Sequence, residues 1–171
     1  MVLATIGLKY SEPTSDYVDV RGVVGRPVEI GGGQLTVTGV RSGSVVQYDT
    51  DDRITTKGLF LVIGVQLDAP GQEAAVTLAT VEGDGRTYKP YSSFTLTADA
   101  GYRSRADLVV EVDPAHLTGL SVGLSKLEII HGLQQRALIA LPITDPNVEQ
   151  WRRTSGATVQ AEEYQSSQVL S

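Results

Sequence analysis

Cysteine is absent from the 171-residue chain. Its absence excludes a disulfide framework, a thiolate nucleophile and any zinc site built on sulfur, and it leaves the cellular compartment open. Aromatic residues are scarce, with two Phe, one Trp and 6% overall, so Leu and β-branched side chains must fill the core. Histidine occurs only at positions 116 and 131. A zinc site needs three or four ligands, and neither histidine has further ligands close by in sequence. No Gly-x-Ser-x-Gly nucleophile elbow is present, so His116 and His131 read as surface or strand-end residues. Basic residues are in deficit, 14 Lys and Arg against 20 Asp and Glu, for a net charge of −6. That balance argues against general binding to nucleic acid or an anionic membrane, which needs clustered cations to displace counterions. The apolar opening Met1–Leu8 lacks a basic flank and is far short of the roughly 20 residues that span a bilayer. Any signal or anchor is expected upstream of Met1.

What the chain does have is alternation. A single domain of this length buries roughly 70% of its unfolded surface, enough for a core without staples. In Leu59–Asp68 every odd position is aliphatic while the even positions grow polar toward the end. This reads as a long strand with one buried face and a second face emerging into solvent. Leu35 and Val37 alternate with Thr36 and Thr38, and Leu108, Val110 and Val112 form another row, as do Ala137, Ile139, Leu141 and Ile143. Shorter candidates lie at 17–24, 26–30, 76–82, 86–91 and 122–130. Turn clusters such as Gly31-Gly32-Gly33, Ser42-Gly43-Ser44 and Asp68-Ala69-Pro70-Gly71 separate them. The pattern predicts an all-β sandwich or barrel with short helical turns rather than βαβ units, and the sandwich is the reading taken.

The stretch Gly83-Asp84-Gly85 looks at first like a phosphate loop. Such a loop must open a helix, whose N-terminus supplies free N–H groups, yet Arg86–Tyr91 has strand character and contains Pro90. Asp84-Gly85 is instead a hairpin turn, since type I′ requires positive φ at both central residues. Asp49, Asp51 and Asp52 crowd one loop, but with no EF-hand spacing they read as a solvated hairpin tip. Tyr88, Lys89, Tyr91, Tyr102, Arg103 and Arg105 read as solvated strand faces. No catalytic, cofactor-binding or metal-binding set emerges.

Two Asp-Pro starts suggest short helical turns, at Asp113–Leu117 and at Asp145–Arg153. Val148 and Trp151, three apart, are expected to pack the second on the sandwich. Beyond Gly156 the chain is rich in Gln and Ser, too poor in apolar groups to offset its own ordering entropy. The reading divides the chain into an N-terminal extension at 1–22 that adds a strand, a sandwich at 23–143, and a short helix with a polar tail at 144–171. Trp and Arg dominate interface hot spots, so Trp151, Arg152, Arg153 and Tyr164 are the candidate partner-binding residues. On this reading deletion of 157–171 moves the melting temperature by no more than about two degrees.

The runs Gly25–Glu29, Leu35–Val40 and Gly58–Val62, with Asp84–Tyr88 and the Asp113–Gly119 turn, carry a resemblance. The chain resembles exported immunoglobulin-like β-sandwich domains of Gram-positive and mycobacterial envelopes. These include the immunoprotective extracellular antigen and its telokin-like relatives. The resemblance spans residues 23–143. It implies an immunoglobulin-like sandwich, export with a membrane anchor, and a non-enzymatic role docking onto a protein partner in the cell envelope. It supplies no catalytic residues, cofactor or metal. The alternative is a small-ligand-binding protein or hydrolase built on a sandwich.

Overall fold

A computed structural model describes residues 17–127 and 134–171. Residues 1–16, His131 and the end of the 122–130 strand candidate lie outside the described residues. One sheet runs, in spatial order, β1 (Tyr17–Val23), β11 (Gln134–Ala140), β10 (Ser121–Ser125), β6 (Leu78–Gly83) and β7 (Arg86–Tyr88). The other runs β12 (Thr158–Ala161), β3 (Gly33–Tyr48), β4 (Arg53–Ala69), β9 (Tyr102–Val112) and β13 (Ser166–Val169), with β2 (Val28–Ile30) also paired to β3. A small pair, β5 (Ala74–Val76) and β8 (Leu96–Ala98), stands apart from both. The single described helix, α1, is Val148–Arg152.

The order β11-β10-β6-β7 is that of the G, F, C and C′ strands of an immunoglobulin variable-type sheet, and β3-β4-β9 that of A, B and E. The fold is an all-β, immunoglobulin-like sandwich. β1 is an added strand, parallel to β11 from Tyr17↔Gln134 to Val23↔Ala140. β13, drawn from the C-terminal end, takes the place beside β9 where that fold sets strand D.

Alternation builds the main core. Leu59, Leu61, Ile63, Val65 and Leu67 of β4 are all essentially inaccessible and share the inner face of their sheet with Leu35 and Val37 of β3 and Leu108, Val110 and Val112 of β9. Ile139, Val122, Leu124 and Val81 close it from the opposite sheet. Helix α1 packs Val148 and Trp151 on this core, as the spacing predicts. Its N-cap is Asn147 rather than Asp145, and the Asn147 side chain makes no cap hydrogen bond because it is occupied in the preceding turn. Its Oδ1 accepts from the Thr144 N–H (2.8 Å) and its amide donates to the Pro142 carbonyl (2.8 Å). Asp113–Leu117 forms a hydrogen-bonded turn, with the Asp113 carboxylate accepting from the Ala115 N–H at 2.9 Å.

Asp84 (φ 51°) and Gly85 (φ 68°) join β6 to β7 with Gly83 opposite Arg86. Both φ values are positive, as a type I′ hairpin turn demands. A Cβ at Gly85 would meet no atom within 4 Å, so a substitution there is opposed by the backbone alone. Gly85→Val is expected to cost about 1–3 kcal/mol in a denaturant titration; an unchanged midpoint would rule out the turn.

On the outer face of the β1-containing sheet, Arg136 lies across β10. It donates to both carboxylate oxygens of Asp19 (2.8 and 3.1 Å) and both of Glu82 (3.0 and 3.2 Å). Its guanidinium also sits 5.1 Å from the centre of the Tyr17 ring. One side chain thereby ties β1, β11 and β6 together. The hydrogen bond from Arg136 is the main cause that holds the Asp19 carboxyl below its ordinary value. A depressed carboxyl stabilises the fold above its unfolded pKa, and that contribution vanishes as pH falls through the folded value. The stability gap between wild type and Asp19→Asn should therefore narrow steadily below about pH 4. A pH-independent gap in urea titrations would contradict this assignment.

Candidate functional site

The site is built by a strand that cannot stay straight. At the β3–β4 hairpin end Ala161 of β12 pairs with Tyr48, and Gln47 faces Arg53. At the other end Ser166 of β13 pairs with Arg105, which faces Gln66 of β4. From Arg53 to Gln66 a straight strand would cover about 40 Å. The chain from Ala161 to Ser166 can reach about 18 Å at most. The hairpin must therefore bend back across its own sheet.

The bend lies in the register. Gly43 faces Phe60 and Val45 faces Thr55, so β4 carries residues 56–59 against Ser44 alone. A second irregularity falls between Val37 and Gly39. Such bulges kink and twist a strand. The C-terminal segment locks onto the kink: the Ala157 carbonyl accepts from Ser44 and Val45 N–H (3.1 and 3.2 Å), and Ser44 Oγ accepts from Gly156 N–H (2.6 Å). Position 43 must be glycine, because a Cβ there would stand 2.7 Å from that carbonyl.

Behind the kink lies a second apolar core on the sheet's outer face. Val46, Phe60, Val62 and Val109 are covered by Val159 and Ala161 of β12, with Tyr48 and Ile54 packed alongside. The sequence reading exposed this face to solvent and left 157–171 as a separate polar tail. Both expectations are corrected: 158–161 and 166–169 are edge strands of the sandwich sheet, and the boundary at Ile143 has no counterpart in it. Pairing along one edge satisfies about half of their backbone polar groups and solvent the rest, so these strands need only the few small apolar side chains they carry.

The four residues joining β12 to β13 form a strap over β9. Asp107 on β9 holds it, accepting from the Glu162 N–H (2.9 Å) and from Arg41 (2.9 Å), while Arg41 also donates to the Gln160 carbonyl (2.9 Å). Asp49 accepts from the Glu163 N–H at 3.1 Å, and the Thr50 hydroxyl donates to the Glu163 carboxylate. Gln165 exchanges hydrogen bonds with the Thr97 backbone (3.1 and 3.3 Å). Thus the loop of Asp49, Asp51 and Asp52 is a hairpin tip, and one that also clasps the strap.

Between strap, hairpin tip and the 91–95 loop opens a cleft of about 360 Å³. Its floor is Val109, Ile54 and Phe94; its walls carry Tyr48, Asp52, Arg53, Tyr91, Glu162 and Glu163. Tyr91 is 49% exposed and its ring meets Phe60 edge-on, 5.4 Å between centroids. Tyr164, 68% exposed, stands on the strap. The carboxylate of Glu163 is the main cause raising the Tyr164 phenol above its usual value, with Asp52 and Asp49 adding to it. Burial, then Tyr91 and Glu163, raise the Tyr48 phenol. Both hydroxyls therefore stay protonated at neutral pH, beside a rim dominated by negative charge.

The other sequence candidates fall elsewhere. Trp151 is half-buried on the main core, and Arg152 donates to the Pro114 carbonyl (2.8 Å) and to Glu149. Arg153 is exposed. Trp151 and Arg152 are thus engaged within the chain, while Tyr164 stands on the strap after β12. Arg103 makes a two-pronged ion pair with Asp68 (2.7 and 2.6 Å), and Arg105 donates to Gln66 (3.0 Å). Tyr88 points its hydroxyl into the protein without a hydrogen-bond partner. His116, isolated in sequence, meets the Asp84 carboxylate through Nδ1 and stands 4.0 Å from Asp113 through Nε2. Sequence reasoning missed Tyr48, Glu162 and Glu163; the short alternation Thr158-Val159-Gln160-Ala161 was the only signal for the strand that positions the latter two.

Fold and site together define an immunoglobulin-like sandwich with a strap-built cleft on one outer face. The chain matches no protein-family model and no curated protein. Among solved structures it is similar to an uncharacterised β-sandwich protein from Clostridium difficile 630, determined at 1.90 Å. The TM-score is 0.46 and the identity 9%, over 71% of this chain and 95% of that one. Among the described residues no helix is long and apolar enough to cross a membrane.

Proposed function

We propose that the chain is a non-enzymatic interaction module that docks onto a protein partner in a bacterial cell envelope, outside the cytoplasm. The observation that carries the docking reading is the cleft, lined by the exposed Tyr91 over apolar side chains, with the exposed Tyr164 on the strap between the lining residues Glu163 and Gln165. Tyrosine supplies a large contact area at low entropic cost and keeps a polar end for hydrogen bonding. Asp52, Glu162 and Glu163 at the rim favour a partner segment that presents lysine or arginine. Tyr164 carries the contact in this reading, while Trp151 and Arg152 serve packing within the chain. The envelope setting and its anchor rest on the resemblance to exported sandwich domains.

A second reading puts a small polar ligand in the same cleft, whose volume lies within the range of small-molecule sites. A photo-crosslinking residue at position 164 of the native full-length protein separates the two, with position 21 on the opposite sheet as control. The expected result is one discrete protein adduct from position 164, recovered with the envelope fraction, and none from position 21. No adduct, or the same adducts from both positions, would contradict partner docking; recovery in the cytosol would contradict the setting.

A further inference from the structure

Sheet edges in folded proteins are normally protected against pairing with another chain by charges, proline or bulges. β1 carries Asp19 and Arg21, and β7 begins with Arg86 and is followed by Lys89-Pro90. β12 runs directly into Glu162 and Glu163. β13 has none of these devices. Ser166-Ser167-Gln168-Val169 is uncharged and free of proline, pairs with β9 without a register shift, and is exposed at all four positions. Its outer edge meets no strand among the described residues.

An apolar pair marks the same margin. Val169 faces Tyr102 across the ladder, 66% and 40% exposed respectively, on the side that includes the buried Ser104. Ser104 and Ser167 share a hydrogen bond of 2.8 Å, so the strand is held in register up to its free edge.

We infer that β13 is the self-association edge of this protein, pairing antiparallel with β13 of a second copy about a two-fold axis. Such an axis, normal to the sheet and centred beside Gln168, sets Gln168 opposite Gln168 of the second copy and Ser167 opposite its Val169. The edge is self-complementary: no like charges meet, although each chain carries a net charge of −6. The two sheets become one continuous sheet, and the Tyr102–Val169 pairs of both copies converge on the join. A homotypic edge contact is the isologous arrangement commonest among soluble oligomers. Four residues a side fall short of the roughly 1,200 Å² of a standard interface, so the association is weak and concentration-dependent. It is independent of the cleft.

Sedimentation velocity of the full chain from about 10 μM to about 500 μM tests this, since weak contacts dissociate in that range. The expected weight-average mass rises from near 18.2 kDa toward twice that value. Gln168→Lys, which brings two ammonium groups together across the axis, should stay monomeric with an unchanged melting temperature. Should that variant not fold, Val169→Lys, at a side chain already in solvent, serves the same purpose. Amide shifts on raising the concentration should be confined to residues 101–104 and 166–170. A wild type monomeric throughout overturns the inference. So does undiminished association of a folded lysine variant.

Discussion

Removal of residues 157–171 is expected to unfold the protein, or to lower its Tm by about 10 °C or more. The segment supplies both edge strands of one sheet, and β12 places Val159 and Ala161 over Val46, Phe60, Val62 and Val109. Uncovering that cluster returns several large apolar side chains to water, each worth about 1.5–3 kcal/mol when fully buried. The cut also leaves Asp107 without the Glu162 N–H, and frees the Ser44 and Val45 N–H groups that the Ala157 carbonyl accepts. These losses act together, because the same stretch closes the kink, the second core and the cleft. A truncated chain melting within two degrees of wild type, by circular dichroism, would restore the reading of an independent tail.

Phe60→Ala is expected to cost about 3–5 kcal/mol, the range for deleting a buried aromatic ring. Phe60 points to the outer face of its sheet, where a simple two-layer sandwich would leave it wet. Here it is wholly buried and stacked edge-on against Tyr91. The value separates two descriptions of the sheet: under a solvated outer face, the truncation would cost well under 1 kcal/mol. Urea titration of the single variant decides between them. The same substitution should loosen Tyr91 and weaken whatever the cleft holds, because Tyr91 forms one wall.

The main core and the hairpin turn were legible in the sequence because each follows a local rule. Five aliphatic residues at alternate positions from Leu59 to Leu67 can face one side only of a strand, and Asp84-Gly85 satisfies a backbone requirement few dipeptides meet. The second core was written less plainly. Leu59 to Ile63 is unbroken apolar sequence, the mark of a strand buried on both faces, but the residues that cover it lie about a hundred positions away. Strands β12 and β13 were illegible for a different reason. Their order comes from backbone pairing to β3 and β9, not from composition, and Ser166–Val169 buries no side chain at all. The cleft follows from those strands and was hidden with them. His116 shows the same limit: its carboxylate partner Asp84 is 32 residues away in sequence, and folding alone brings the two together.

Native-state hydrogen exchange of the full chain tests most directly the claim that the C-terminal segment is built into the sandwich and shapes its cleft. The amides to follow are those of β12 and of Glu162 and Glu163, which donate to Asp107 and Asp49. The account predicts that β12 opens only at a free energy close to that of global unfolding, together with β3 and β4, and that Glu162 and Glu163 are also protected. Exchange of these amides at rates near those of an unstructured chain, while β4 remains protected, would contradict it.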